Sequence, residues 1–301
     1  MAATTTAVEE LELRARRPVP WAVARGMLRF AYRKPLGAFG AVVAVVLIVV
    51  AVLAPQVATH DPNLMAPAES TIGPSADHLM GTDNMGRDIF SRIVYGARVS
   101  IQIATLAIAI SMTVGTAVGL VSGYLGGKAD ITIQRFVDTG MAFPTLVLAL
   151  ILVGFFGASI RLLIIALGFV FSPAMSRLVR GSVLSAKQNV YVDAARGLGA
   201  SDIRIMVRHI LPNVMAPIIV VGTAQLGTVI LAEASLSFLG FGPPPPNATW
   251  GSMLAGESRI YMTVAWWMAV FPGLAITLAV LGFNLLGDAL RDVWDPRLRG
   301  T

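Results

Sequence analysis

The sequence predicts an all-α, polytopic membrane protein, and three observations carry the prediction. Hydrophobic residues make up 55% of the 301 residues, charged residues only 13%, and the mean hydropathy is +0.73. Soluble domains carry about 25% charged residues, so this chain has too little polar surface to face water on all sides. The apolar residues gather into six runs long enough to cross a bilayer or nearly so. Finally, 18 of the 23 Lys and Arg residues fall in connections on one side of those runs and 5 on the other. That asymmetry sets six helices with both termini in the cytoplasm. It also explains the net charge of +6 as a membrane pattern rather than a nucleic-acid surface. No cysteine is present, which removes disulfides and thiolate chemistry. No internal repeat is visible, so a transporter built from duplicated halves gains little support.

Residues 1–35 are basic, with Arg14, Arg16, Arg17, Arg25, Arg29, Arg33 and Lys34 interleaved with Trp21, Met27, Leu28, Phe30 and Tyr32. They read as a cytoplasmic amphipathic segment at headgroup level. They do not read as a signal peptide, because the basic stretch and the apolar run behind it are both too long. Residues 36–301 form the membrane domain. Leu36–Ala54 gives 19 residues without a charge, enough for one crossing. Residues 55–98 form a polar extracytoplasmic loop with prolines at 55, 62, 67 and 74. Further spans are expected at 99–125, 137–156, 160–175, 214–239 and 264–286, with a second extracytoplasmic loop at 241–262. Pro144, Pro173, Pro217 and Pro272 interrupt them, which neighbouring helices can tolerate. Small residues in VGTAVGLVSG, Val114–Gly123, permit close helix contact. The prolines at 243–246 suggest a stiff polyproline bend, and Trp250 suits the membrane interface.

Polar residues at membrane depth are the candidates for a pathway. Gln225 and Asn284 are read mainly as interhelical hydrogen-bonding amides. Glu233, near the outer end of the fifth span, is expected to line a cavity mouth. Asp138 is read as a helix N-terminal carboxylate facing the positive dipole end. GYLGGKAD, Gly123–Asp130, lacks the P-loop spacing and the Ser/Thr after Lys128, so it offers no phosphate site. The three histidines, His60, His78 and His209, are read as lying in different loops, and neither a catalytic arrangement nor a metal site is expected.

Two stretches stand apart. YVDAARGLGASDIRIMVRHILPN, Tyr191–Asn213, is a polar island between apolar runs. A short helix stopped by Gly199, then a second capped by Ser201 and closed by Pro212, would make a cytoplasmic knob over about 187–213. An ordinary charged loop is the plainer alternative. The stretch resembles the EAA loop of ATP-binding cassette importer permeases: Ala194, Ala195, Gly199 and the Leu211-Pro212 ending match, with Asp193 where Glu is usual. In the outer loop, LMGTDNMGRDIFSR contributes Gly81, Thr82, Asp83, Gly86, Arg87, Asp88, Ser91 and Arg92. It is similar to the signature ahead of the second helix in the dipeptide/oligopeptide/nickel permease family, with Met80 where Leu is frequent. EASLSFLGFGPPPPNATWGSML and PGLAITLAVLGFNLLGDALRDVWDPRLR resemble the same family's outward segment and ending.

The resemblance implies a non-catalytic, multi-pass subunit of the bacterial plasma membrane. It implies a second homologous permease chain, two ATPase subunits that bind ATP and Mg²⁺, and an extracytoplasmic solute-binding protein. No cofactor would be bound by this chain. Peptides are the commoner cargo, and the lack of a His or Cys cluster in the spans disfavours nickel. A channel would call for a repeated pore-lining motif, and a membrane-embedded enzyme for charged pairs within helices. Neither accounts for residues 191–213.

Overall fold

The computed structural model describes Tyr32 and residues 34–255, 258–261 and 263–294. The expected amphipathic segment at 1–35 therefore lies almost wholly outside the described residues. Apolar helices dominate because a bilayer offers backbone groups no water, and a helix satisfies them within its own segment. Among the described residues, only an isolated bridge between Thr82 and Asp88 has strand character.

The helices are α1 (Pro35–Val52), the short α2 (Ala54–Val57), α3 (Ile89–Leu125), α4 (Gly127–Ala142), α5 (Thr145–Phe156) and α6 (Ile160–Ala186). They continue with α7 (Val190–Gly197), α8 (Asp202–Phe241, one long helix), α9 (Trp250–Leu254), α10 (Ser258–Tyr261) and α11 (Trp267–Trp294). Five of these helices are long and apolar enough to cross a membrane. A sixth crossing forms when α4 and α5 count as one span bent by 88°. The expected run at 137–156 is thus broken rather than merely interrupted. Pro144 has no N–H for a continuing helix and biases Phe143 to the extended region, where it sits at ψ 138. With 12 residues, α5 is only about 18 Å long.

Two spans exceed expectation. The 37 residues of α3 would extend about 55 Å, well beyond a hydrocarbon core of about 30 Å. Its first ten residues, carrying Arg92 and Arg98, belong to the polar end. α8 has 40 residues and begins in the polar island itself.

Packing centres on α3 against α6, with α11 bridging α8 and α1. Gly115, Gly119 and Gly123 recur every four residues along α3, so they share one face. A Cβ on Gly119 would fall 2.4 Å from the Ser176 carbonyl oxygen; on Gly115, 2.7 Å from Met175. Only hydrogen at these positions allows the backbones so close. Gly40 plays the same part where α1 meets Gly282 of α11. Apolar side chains such as Val42, Val45 and Ile151 point outward, as lipid requires. Trp250 does the opposite of what an interfacial Trp would do: it is 1% exposed and donates its indole N–H to the Ile93 carbonyl at 3.0 Å.

The bundle has two ends. At one, the basic end, the start of α1 meets the end of α11 through Lys34 and Asp292 at 2.5 Å. The α3–α4 turn and the α6–α8 connection lie there too. Asp130 of α4 forms a two-point pair with Arg180 of α6, at 2.7 and 2.6 Å, while accepting from Ser122. Asp138 sits toward the C-terminal end of α4 and pairs with Arg177, so its role is an ion pair rather than the expected helix N-terminal charge. The opposite end carries the 58–88 loop, α9 and α10.

Candidate functional site

At the basic end, Val192 and Ala195 lie three apart on α7 and are both buried, against Val179, Val183, Ile205 and Ile210. The remaining face leaves Asp193 and Ala194 exposed. α7 then stops at Gly199, whose φ is +77. The Ala200 N–H bonds the Ala195 carbonyl and the Gly199 N–H bonds that of Arg196, both at 3.0 Å. This is a Schellman closure, which needs a left-handed residue at that position. No atom lies within 4 Å of a Cβ built on Gly199, so backbone conformation and not space demands glycine there.

The second half of the knob differs from expectation. Ser201 occupies the N-cap position but makes no side-chain cap bond. Pro212 closes nothing, because Leu211 and Pro212 lie inside continuous α8. Residues Ile205–Ile210 widen into a π-helical turn, with the Leu211 N–H reaching the Met206 carbonyl. The wider turn relieves the clash that a proline ring makes with the carbonyl four residues back, here that of Arg208. Tyr124 donates its hydroxyl to Asp202 at 2.5 Å and ties the knob to the end of α3. The knob's outer surface is apolar at its tip. Leu198 is 89% exposed and Ile203 71%, on either side of Gly199. Sequence reading passed over both residues, although apolar side chains within a polar island were the available signal.

At the opposite end the outer-loop signature is a folded knot. Gly81 (φ +76) and Gly86 (φ +73) are left-handed, and a Cβ on Gly86 would fall 1.8 Å from the Ala66 carbonyl oxygen. Asp83 accepts from the Met85 and Arg87 N–H groups at 2.8 and 3.0 Å and from the Arg87 side chain at 2.7 Å. Thr82 donates its hydroxyl to Glu69 C=O, and its own carbonyl accepts from Trp267 at 3.1 Å. Asp88 caps α3 by accepting from the Ser91 N–H at 2.8 Å. Ser91 accepts from the His60 N–H, and buried Arg92 donates to the Pro62 carbonyl. Each signature residue therefore holds the loop on the start of α3. A hollow of about 250 Å³ beside them is lined by Asp83, Arg87, Arg92, Pro243, Ser252 and Met268, among others.

The histidines need correcting. His60 and His78 share this outer loop, and their ring centroids stand 4.8 Å apart. His78 Nδ1 lies 2.9 Å from Asp88 Oδ1. The hydrogen bond to Asp88 raises the His78 imidazole above its ordinary range, and Glu69 pushes the same way. The signal was missed because nothing in the spacing of 60, 78 and 88 places them on one element.

Glu233 is corrected too. Rather than standing open at a cavity mouth, it is wholly buried between α8 and α3, accepting from Ser100 at 2.9 Å and Ser237 at 2.6 Å. Two hydroxyl donors are what make burial of a carboxyl tolerable. Gln225 and Asn284 are half-buried. Asn284 of α11 lies against Gly227 of α8, and the Gln225 side-chain oxygen is buried with no hydrogen-bond partner among the described residues. The 190–204 knob, the outer signature and these polar groups form three separate regions.

Five helices able to cross a bilayer, six spans with the bent α4–α5 pair, make the described residues an all-α, multi-pass membrane bundle. The profile of the binding-protein-dependent transport system inner membrane component matches residues 115–300. The chain belongs to that family. It is 41% identical over 280 residues to the dipeptide transport system permease of Alkalihalophilus pseudofirmus, covering 93% of this chain and 91% of that one. It is 44% identical over 269 residues to the glutathione transport system permease of Escherichia coli, covering 89% and 88%. A crystal structure of an amino acid ABC transporter superposes with a TM-score of 0.50 at 17% identity, over 69% of this chain and 95% of that one. That likeness speaks to the fold. The chain is thus an importer permease that works with ABC transporter partners.

Proposed function

We propose that this chain forms, with a second homologous permease, the translocation pathway of an importer for di- or oligopeptides, and that two partner ATPases drive it through the 190–204 knob. The observation that carries the reading is the knob. α7 closes at Gly199, and Leu198 at its end and Ile203 at the start of α8 both stand exposed to solvent there. Paired apolar side chains on an otherwise polar connection support a protein contact at this knob. The contact of Lys34 with Asp292 brings the start of α1 beside the end of α11, and the Lys/Arg distribution supports a cytoplasmic location for that end. The ATP and Mg²⁺ would be bound by the ATPases, since this chain has no phosphate-cradling motif. The solute-binding protein would dock at the opposite end, over the outer loop. The peptide reading rests on relatives named for dipeptide and glutathione transport.

The test is uptake by the reconstituted complex with its solute-binding protein. Labelled di- and tripeptides should accumulate only with ATP, and excess nickel should not compete. Purified alone, this chain should hydrolyse no ATP. Nickel uptake without peptide uptake, or intrinsic ATPase activity, contradicts the proposal.

A further inference from the structure

The outer loop gathers a group of side chains that the transport reading does not use. His60 follows α2, His78 sits in the loop, and Asp88 caps α3. One ligand atom from each of the three lies within 4.8 Å of the others. His78 Nδ1 is 2.9 Å from Asp88 Oδ1, and His60 Nδ1 is 3.8 Å from the same oxygen. Two donors at 2.0–2.1 Å from a tetrahedral ion are separated by about 3.3 Å, so these distances bracket the required value.

We propose that His60, His78 and Asp88 bind one divalent transition-metal ion, with Zn²⁺ the best-matched probe. Two imidazole nitrogens and one carboxylate oxygen suit borderline ions such as zinc and leave a fourth position for water. The site is held in place before any ion arrives. Asp88 Oδ2 is fixed by the Ser91 N–H, which leaves Oδ1 for the metal. The far nitrogen of His78, Nε2, lies 3.4 Å from Glu69 Oε2. On binding, the ion would displace the Nδ1 proton now shared with Asp88, and a carboxylate near the second ring nitrogen would favour the Nε2–H tautomer that leaves the Nδ1 lone pair for the metal. Access comes from a surface hollow of about 440 Å³ bordered by His60, Thr59, Asp61 and Tyr95. The ion would clip the segment behind α1 to the N-terminus of α3, and so stabilise the outer loop by binding only its folded form. Such an ion site goes beyond the transport reading and does not depend on which cargo is carried.

The test uses the full chain, purified in nanodiscs through a tag without histidine, and titrated with Zn²⁺ by calorimetry. One equivalent should bind, and Zn²⁺ should raise the thermal unfolding midpoint. His60→Ala should weaken binding at least tenfold and abolish that rise. Its metal-free midpoint should match wild type, because the His60 side chain is partly exposed. Asp88→Asn keeps a capping oxygen but should also weaken binding. Co²⁺ should give the visible absorption of a low-coordinate N/O site in wild type and lose it in His60→Ala. Equal Zn²⁺ affinity in wild type and His60→Ala overturns the site, as does a wild-type chain that binds no Zn²⁺.

Discussion

Gly86 and Gly127 are both left-handed glycines, at φ +73 and +56, yet they answer to different constraints. Around Gly127 no atom approaches within 4 Å of an added Cβ, whereas at Gly86 the Ala66 carbonyl stands 1.8 Å away. Gly127→Ala should therefore cost only the conformational term, about 1–2 kcal/mol. Gly86→Ala adds overpacking against backbone, about 1–3 kcal/mol more. Thermal unfolding of the two variants in the same detergent should show the larger drop for Gly86→Ala, and equal drops would contradict the packing account. At this scale the sequence was legible wherever a residue type has one dominant use. Gly199 reads as a helix stop, and its φ of +77 is the one such a stop needs. Glu233 and Trp250 were misread because their placement depends on which helix packs beside them. Position along the chain does not encode that. His60 and His78 escaped for the same reason.

For the elements, apolar run length located every crossing, but the boundaries moved where other forces took over. α3 starts ten residues before its apolar run, since the Asp88 cap and the knotted loop, not hydrophobicity, set its beginning. α8 starts at Asp202 because a π-turn absorbs Pro212, a proline that local rules read as a stop. The third crossing breaks at Pro144, where no such relief occurs. Close helix contact through small residues was expected from Val114–Gly123, and α3 meets α6 along that stripe. Gly119→Ala should push the helices apart, because its Cβ would meet the Ser176 carbonyl at 2.4 Å. A loss of about 1–3 kcal/mol is expected. Gly181, on α6 with nothing within 4 Å, is the control. Gly181→Ala should be neutral or stabilising by up to about 1 kcal/mol, as alanine is the better helix former. Chemical or thermal denaturation of both variants checks this, and a destabilising Gly181→Ala with a silent Gly119→Ala would refute the contact.

As a whole, the described residues form a bundle with two differently built ends joined by long helices. The charge asymmetry leads to a proposed topology with both termini in the cytoplasm. Reporter fusions after residues 70, 158 and 250 should read extracytoplasmic, and those after 130, 195 and 295 cytoplasmic. A cytoplasmic reading at 70 would invert the arrangement. The most direct test of the central proposal, that the knob couples ATP hydrolysis to transport, is Gly199→Val in the assembled transporter. The left-handed backbone at φ +77 penalises a β-branched side chain by about 1 kcal/mol or more, and the Schellman closure of α7 would be lost. The membrane bundle should insert normally, since Gly199 is exposed and an added Cβ there meets no described atom within 4 Å beyond its chain neighbours. Asp193→Ala is the companion variant. Its pair with Arg196, at 3.3 Å, is largely exposed and screened by solvent, so the effect should be mild. Co-purification of the ATPase subunits and uptake of labelled dipeptide should be measured together on each variant. Gly199→Val should lose both in parallel while its expression stays near wild type. Full ATPase co-purification and full uptake in Gly199→Val would make this segment a passive linker and contradict the coupling role.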